Sequence, residues 1–363
     1  MAASPSTVRL SSLADLPKLA ADTLIDARSP AEFAEDHLPG AVNLPVLDDA
    51  ERGRIGTIYV QESRFRARRI GAALLARNVA RHLEGPLADR DGGWRPMVYC
   101  WRGGQRSGGF AAILAQIGWR VGVLDGGYRS WRRLVVRLLY EGPLPGPLIA
   151  LDGNTGTAKT ELLGLLAERG VQTVDLEALA GHRGSLFGGL PDAAQPGQKR
   201  FETGLAAALA AFDPGRPVVV EAESARIGAL VLPPAFWSAL RSAPRLQIVA
   251  PLAQRAAYLS RAYVDLTADP ALLMGVIERL RPYHARDAIA RWQALAAAGD
   301  FIGLAGELMA QHYDPRYARA RARQTVPTRA FAAETLDPDG LQALADRIAA
   351  SLSDTGWRAL SPA

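Results

Sequence analysis

Cysteine is nearly missing from this 363-residue chain: Cys100 is the only one. An intrachain disulfide is therefore excluded, and so is a thiolate metal cage. Histidine numbers only 5, and no cluster with metal-ligand spacing is present in the sequence. Lysine is scarcer still, and arginine supplies almost all the positive charge. No apolar run approaches the roughly 20 residues that span a bilayer. The start, Met1-Ala2-Ala3-Ser4-Pro5-Ser6, lacks the basic and apolar regions of an export signal. With one cysteine and no such signal, the expected setting is the cytoplasm, away from membranes.

What is present reads as globular. Hydrophobic residues make up 48% and the mean hydropathy is near zero, so a buried core is expected, and the length allows two of them. The formal charge is +5 and the sequence pI about 9.5. That excess is compatible with a nucleic-acid partner, but a GC-rich genome would enrich arginine and alanine too, so composition does not decide.

The lone cysteine stands in notable company. Pro96-Met97-Val98-Tyr99 is an apolar strand ending at Cys100; Trp101-Arg102-Gly103-Gly104-Gln105-Arg106-Ser107 follows, and a helical run begins near Phe110. A thiol at a strand end facing a helix N-terminus meets inward-pointing N–H groups. With Arg102 and Arg106 they would stabilise a thiolate or a bound anion, and Gly103 and Gly104 let the backbone curl around it. A buried structural cysteine is the competing reading; arginines and glycines are poor company for one.

A second strand–loop–helix lies past the Pro- and Gly-rich linker 141–147. Leu148-Ile149-Ala150-Leu151-Asp152 leads into Gly153-Asn154-Thr155-Gly156-Thr157-Ala158-Lys159-Thr160 and then an apolar helix. This is the setting of a phosphate-binding P-loop: backbone N–H groups cradle phosphates, Lys159 neutralises them, and the Thr160 hydroxyl can hold Mg²⁺. Ala158 stands where that motif has its second glycine. Further strands are expected at 171–176, 217–221 and 246–250, giving a parallel sheet whose ligand lies at the strands' carboxyl ends.

The loops leaving those ends supply more candidates. His182, Arg183 and Ser185 follow the second strand; His182 reads as structural or catalytic with equal weight. Gln198 and Lys199 come next. After the third strand, Glu221 or Glu223 is a candidate acid for a metal-bound water, unless one of them pairs with Arg226; Ser224 lies between. In the first half, a helical insertion at about 48–84 carries Arg64, Arg66, Arg68 and Arg69, either a solvated face or a phosphate-contacting patch.

Several stretches resemble a known family. Leu24-Ile25-Asp26-Ala27-Arg28-Ser29-Pro30 and His37-Leu38-Pro39-Gly40-Ala41-Val42-Asn43 resemble the rhodanese signature, and Cys-Trp-Arg-Gly-Gly-x-Arg-Ser at Cys100 resembles the narrower tRNA 2-selenouridine synthases. So do Val46–Arg52, the His182-Arg183-Gly184-Ser185 loop, Gln198–Glu202, Glu221–Gly228 and His312-Tyr313-Asp314-Pro315-Arg316-Tyr317. The resemblance runs from about residue 10 to about 320. It implies an α/β chain: a rhodanese-like domain over 7–140, a P-loop NTPase-like parallel-sheet domain over 148–311 with a helical extension, and a basic C-terminal arm and helix over 312–363. Residues after Ser353 are expected to be loose. It also implies an enzyme that turns the wobble 2-thiouridine of tRNA into 2-selenouridine. Geranyl diphosphate first alkylates the sulfur; selenophosphate then replaces the S-geranyl group, with Cys100 as the selenation residue. No obligate protein partner is implied. Two rivals remain on the residues alone: a sulfurtransferase fused to a small-molecule kinase, and a non-enzymatic nucleotide-sensing tRNA binder.

Overall fold

The computed structural model describes residues 4–183 and 194–352. Two compact units divide the chain. The first runs to Pro143 and includes Pro196–Ala211; the second comprises Leu144–Gln195 and everything from Phe212 on.

In the first unit five short strands form one parallel sheet: β1 (Ser6–Val8), β2 (Thr23–Asp26), β3 (Ala41–Asn43), β4 (Pro96–Tyr99) and β5 (Gly122–Leu124), in the order β1-β5-β4-β2-β3. All four residues of the central strand β4 are buried, the pattern of a strand covered on both faces. The covering helices are α1 (Pro30–Glu35), α2 (Asp49–Gln61), α3 (Arg64–Glu84), α4 (Gln105–Ile117) and α5 (Gly127–Val136). The expected insertion is thus the pair α2 and α3. Its first helix starts at a capping box, with the Asp48 carboxylate accepting from the Glu51 N–H and Glu51 returning the bond to the Asp48 N–H. Ala67 and Val79 face the core, which keeps Arg64, Arg66, Arg68 and Arg69 outside.

The second unit is built on β6 (Leu148–Gly153), buried at all six residues. It continues through α6 (Lys159–Glu168), β7 (Gln172–Val174) and α7 (Leu176–Ala180). The chain then gives α8 (Gln198–Ala210) to the first unit. It resumes with β8 (Val218–Glu221), the small antiparallel pair β9 (Arg226–Ile227) and β10 (Leu230–Val231), α9 (Pro234–Ser242), β11 (Arg245–Val249) and α10 (Leu252–Ala262). Four further helices, α11 (Val264–Thr267), α12 (Pro270–Glu278), α13 (Arg286–Ala297) and α14 (Phe301–Leu308), share a core of their own around Leu273, Ile277, Ile289, Trp292 and Leu304. Then come α15 (Asp314–Arg321), β12 (Thr328–Ala332) and α16 (Pro338–Ser351). The sheet is parallel in the order β12-β11-β6-β8-β7, so β6 is central and its carboxyl end opens into the Gly153–Thr160 loop.

Two segments differ from the sequence reading. The described stretch from 312 to 352 is part of the second unit's body rather than an arm. β12 pairs with β11, and Leu341, Leu344 and Ile348 of α16 join the core that holds Leu162 and Ile248. Only Phe331 of β12 is buried, so this edge strand shows no alternation to read. The second segment is α8. Phe201, Leu205 and Leu209, four apart, bury one face in the first unit. Glu202 there takes an ion pair from Arg132 and a hydrogen bond from the Tyr140 hydroxyl at 2.7 Å, while the Thr203 hydroxyl donates to Asp36 at 2.8 Å. The contiguous domain expected over 148–311 is therefore interrupted at α8. The Ser185 candidate and the tail from Ser353 lie outside the described residues. Among the described residues no helix is long and apolar enough to cross a membrane.

Candidate functional site

The loop after β6 wraps over the N-terminus of α6. Gly156 adopts φ +83°, and a Cβ there would stand 2.9 Å from the Arg255 carbonyl oxygen, so α10 backs against the loop where only glycine fits. Ala158 adopts φ +57°, the left-handed conformation that the second glycine of such loops supplies. It is the one non-glycine residue with positive φ among the described residues. The methyl group therefore does not force the backbone out of the P-loop course. The Lys159 ammonium donates to the Gly153 carbonyl at 3.1 Å. Burial alone would lower its affinity for a proton; Tyr317 and the carboxyl groups of Glu223, Glu177 and Glu221 more than offset that, and it stays charged.

Long-range contacts hold the loop. The buried Arg255 guanidinium donates to the Thr155 carbonyl at 3.1 Å and clamps Asp314 with bonds of 3.0 and 2.7 Å, and Asn154 donates to the same carboxylate at 2.8 Å. The α15 segment thereby fixes the loop from the far side. The Thr160 hydroxyl donates to Glu177 at 3.1 Å. A cavity of about 450 Å³ opens over the loop, lined further by Glu177, Arg183, Glu223, Tyr258 and Tyr317. Burial pushes its acids Glu177 and Glu223 toward their neutral forms, Glu177 up to about 7 with the Glu223 charge adding to the rise. Outside the lining, burial and then the charges of Asp175 and Glu177 push Glu221 up to about 9, and burial raises Asp175. Glu221 accepts from the N–H groups of Leu176 and Glu177 at 3.0 and 3.1 Å, so it anchors the start of α7.

In the first unit, Cys100 ends β4 and is 3% exposed. Its sulfur accepts from the Ser107 hydroxyl at 3.2 Å. Burial opposes ionisation, but the Ser107 hydroxyl, the N–H groups of Ser107 and Arg102 and the charge of Arg106 win, and the thiol lies below its ordinary value. Gly103, at φ +68°, packs its backbone on the turn after β5; a Cβ there would stand 2.7 Å from the Leu124 carbonyl oxygen. Arg106 is less free than it reads: it holds Glu32 at 2.5 and 3.2 Å, and Glu32 also accepts from the Ser29 N–H. Beneath the loop, buried Arg28 pairs with Asp26 at 2.6 Å, donates to the Asp36 carbonyl and lies 4.1 Å over the Tyr128 ring. The Arg28 and Asp26 side chains are fully buried and satisfied by each other and by the backbone around them, so they hold the loop's base together. Arg102 and Gly104 are exposed at the rim.

Comparison with known proteins fits these two sites. The profile of the tRNA 2-selenouridine synthase AAA domain matches residues 146–275, and that of the rhodanese-like domain matches 9–134. The chain is 38% identical over 251 residues to a tRNA 2-selenouridine synthase of Chromohalobacter salexigens, covering 67% of this chain and 65% of the relative. It is 36% identical over 252 residues to that of Nitrosomonas europaea, covering 68% and 65%. It is 31% identical over 293 residues to that of Shewanella sediminis, covering 80% and 77%. The chain belongs to the tRNA 2-selenouridine synthase family. The match spans 65% of the length of the first two relatives.

Within this family member the remaining candidates separate. Arg183 lines the cradle cavity, pairs with Asp265 at 3.0 Å and lies over the Tyr263 ring. His182, its imidazole held low by burial, is not among the residues lining that cavity. Glu223 lines it; Ser224 bonds the Arg226 backbone instead, and no ion pair joins Arg226 to Glu221 or Glu223 among the described residues. Gln198 and Lys199 belong to α8 in the first unit, where Gln198 bonds Glu202 and Lys199 pairs with Glu35 at 2.5 Å. Arg66 pairs with Glu62, and Arg64 sits over Tyr59. Sequence reading missed Arg255, which no local motif marks. It also missed Arg129, Arg133 and Arg137, spaced one turn apart along α5 and its continuation. They line a cavity with Trp101, beside the Cys100 loop.

Proposed function

We propose that this chain carries out the reaction its family is named for, converting the wobble 2-thiouridine of tRNA to 2-selenouridine, and that it does so in two stages. In the first, the second unit holds geranyl diphosphate by its phosphates. The thiocarbonyl sulfur of the tRNA base attacks the first carbon of the geranyl group, the carbon–oxygen bond breaks, and diphosphate leaves. Lys159 and the N–H groups at the start of α6 face the charge that develops on the leaving oxygen, the kind of interaction that lowers such barriers most. In the second, selenium from selenophosphate displaces the S-geranyl thiol at C2, and hydrolysis of the selenium–phosphorus bond releases phosphate. Cys100, with its lowered thiol and nearby N–H donors, is the group that would position the selenophosphate for this displacement.

The observation that carries this reading is the pairing of a glycine-tight thiol loop and an intact P-loop course in one member of this family. Mg²⁺ fits the cradle: the Thr160 hydroxyl and the carboxyl groups of Glu177 and Glu223 face the same cavity, and a cation would offset the repulsion that the Glu223 charge exerts on Glu177. Bound there it would add positive charge beside the leaving diphosphate. Among the described residues no cluster of three or more His, Cys, Asp or Glu forms a metal cage, so phosphates would complete such a site. The α3 arginines Arg64 to Arg69 would contact tRNA phosphates.

The test is mass analysis of tRNA nucleosides after incubation with geranyl diphosphate, with selenophosphate, and with both. S-geranyl-thiouridine from the first and selenouridine only from the pair are expected. ATP turnover untouched by tRNA, with neither nucleoside formed, would instead favour the kinase fusion.

A further inference from the structure

Behind the P-loop lies a second cavity of different character. It is walled by Leu259, Leu266, Leu273, Phe301, Leu304 and Leu308, from four helices of the second unit. Thr155, Leu259, Tyr263 and Tyr313 line both this cavity and the cradle, so the two adjoin at these four residues. An anion held at Lys159 thus has an apolar chamber directly beside it. A nucleoside does not suit that chamber: purine and ribose donors and acceptors would be left unpaired among leucines. A hydrocarbon tail on a diphosphate suits both halves at once.

We infer that this chamber seats the branched, distal end of a ten-carbon prenyl diphosphate and measures its length. The inference rests on the proposed use of geranyl diphosphate and adds where its tail lies. The chamber's volume is about 70 Å³. An apolar cavity of about 150 Å³ takes a six-carbon ring, so this one matches roughly three carbons on the same scale. That is the isopropylidene end of a geranyl chain. The first isoprene unit then passes the doorway residues, and the diphosphate remains in the cradle. A five-carbon chain stops short of the chamber, and a fifteen-carbon chain overfills it.

The experiment uses the full chain and measures the binding of inorganic diphosphate and of dimethylallyl, geranyl and farnesyl diphosphates, with transfer to 2-thiouridine tRNA as a second readout. Burying about three more carbons should make geranyl diphosphate about 60-fold tighter than dimethylallyl diphosphate. Ala305, on α14, lines the chamber. Ala305→Phe should fill it and bring geranyl down to the dimethylallyl level, with inorganic diphosphate unchanged. Phe301→Ala should enlarge it and admit farnesyl diphosphate. If Ala305→Phe melts early, Ala305→Leu and Phe301→Ala carry the same test. Wild-type chain-length preference in folded variants that still transfer geranyl would overturn the chamber and leave the proposed reaction standing. A wild-type protein that binds no prenyl diphosphate more tightly than inorganic diphosphate, and transfers none, would overturn both.

Discussion

The Cys100 loop and the P-loop share a plan: a buried parallel strand, a glycine-bearing turn and a helix whose N-terminal N–H groups face inward. They differ in what stands at the centre. In the first unit it is a sulfur, nearly enclosed, with Arg106 engaged by Glu32. In the second it is an ammonium, ringed by Glu177, Glu221 and Glu223 under an open cavity. The same backbone device thus presents a thiol in one place and an ammonium in the other. The deciding difference lies in the side chain that each helix start presents and in what sits across from it.

The strongest way to break that contrast is Cys100→Ala. If the sulfur serves only selenium transfer, selenouridine should fall below detection while S-geranyl-thiouridine accumulates, because alkyl transfer needs no thiol. Normal selenouridine would remove Cys100 from the chemistry; loss of both products in a variant of unchanged melting temperature would merge the two stages. Lys159→Ala is the converse. Losing one charge aimed at a leaving oxygen costs on the order of 100- to 1000-fold in rate, so geranyl transfer should collapse while selenation of pre-geranylated tRNA persists. Single-turnover rates with each substrate separate the cases, and geranyl transfer at the wild-type rate would exclude the cradle.

Much of this contrast was legible in the sequence, because both loops are local. Strand, glycines and helix are contiguous at Cys100 and at Lys159, and the φ of Gly103 and Gly156 is what a tight turn demands. What escaped reading is held by distant partners. Arg255 and Asp314 reach the P-loop from α10 and α15 and leave no mark near residue 153. Glu32 quenches Arg106 from 74 positions away. The edge strand β12 buries one residue, too little for a period to show. Helix α8 was read as loop because its Gln198-Lys199 start is polar; its apolar face appears three residues on.

A third effect, smaller, concerns tRNA. Reversing Arg64, Arg66, Arg68 and Arg69 to glutamate should weaken tRNA binding by about tenfold or more at low salt. The logarithmic salt slope should flatten by up to ~0.9 for each phosphate no longer neutralised. Arg66, already paired with Glu62, should contribute least of the four. Unchanged affinity would make this helix a solvated face and move attention to Arg129, Arg133 and Arg137. A fourth concerns the thiol itself. Its ionisation is favoured by Ser107 and Arg106, so the pH midpoint of Cys100 alkylation should lie below that of an ordinary thiol, such as free cysteine under the same conditions. Ser107→Ala should raise it, which lowers the thiolate fraction and the alkylation rate near neutral pH. A midpoint unmoved by Ser107→Ala would mean that the hydroxyl does not support the thiolate.

The smallest effect is the most discriminating about the loop's shape. Ala158 occupies a left-handed conformation that costs a non-glycine residue about 1–2 kcal/mol. Ala158→Gly removes that cost. Against it stand the larger freedom of glycine in the unfolded chain, about 0.5–1 kcal/mol, and the loss of a buried methyl group, about 0.8 kcal/mol. These nearly cancel, so the melting temperature should move by only a few degrees and geranyl transfer should stay near the wild-type rate. Gly156→Ala is the matched control. It adds a Cβ 2.9 Å from the Arg255 carbonyl oxygen at φ +83°, so it must displace α10 or deform the loop, and both stability and geranyl transfer should drop. The two substitutions are mirror images in composition, two positions apart. If Ala158→Gly changes the transfer rate as much as Gly156→Ala does, the loop's course depends on the Ala158 methyl group, and left-handed backbone alone does not account for the cradle.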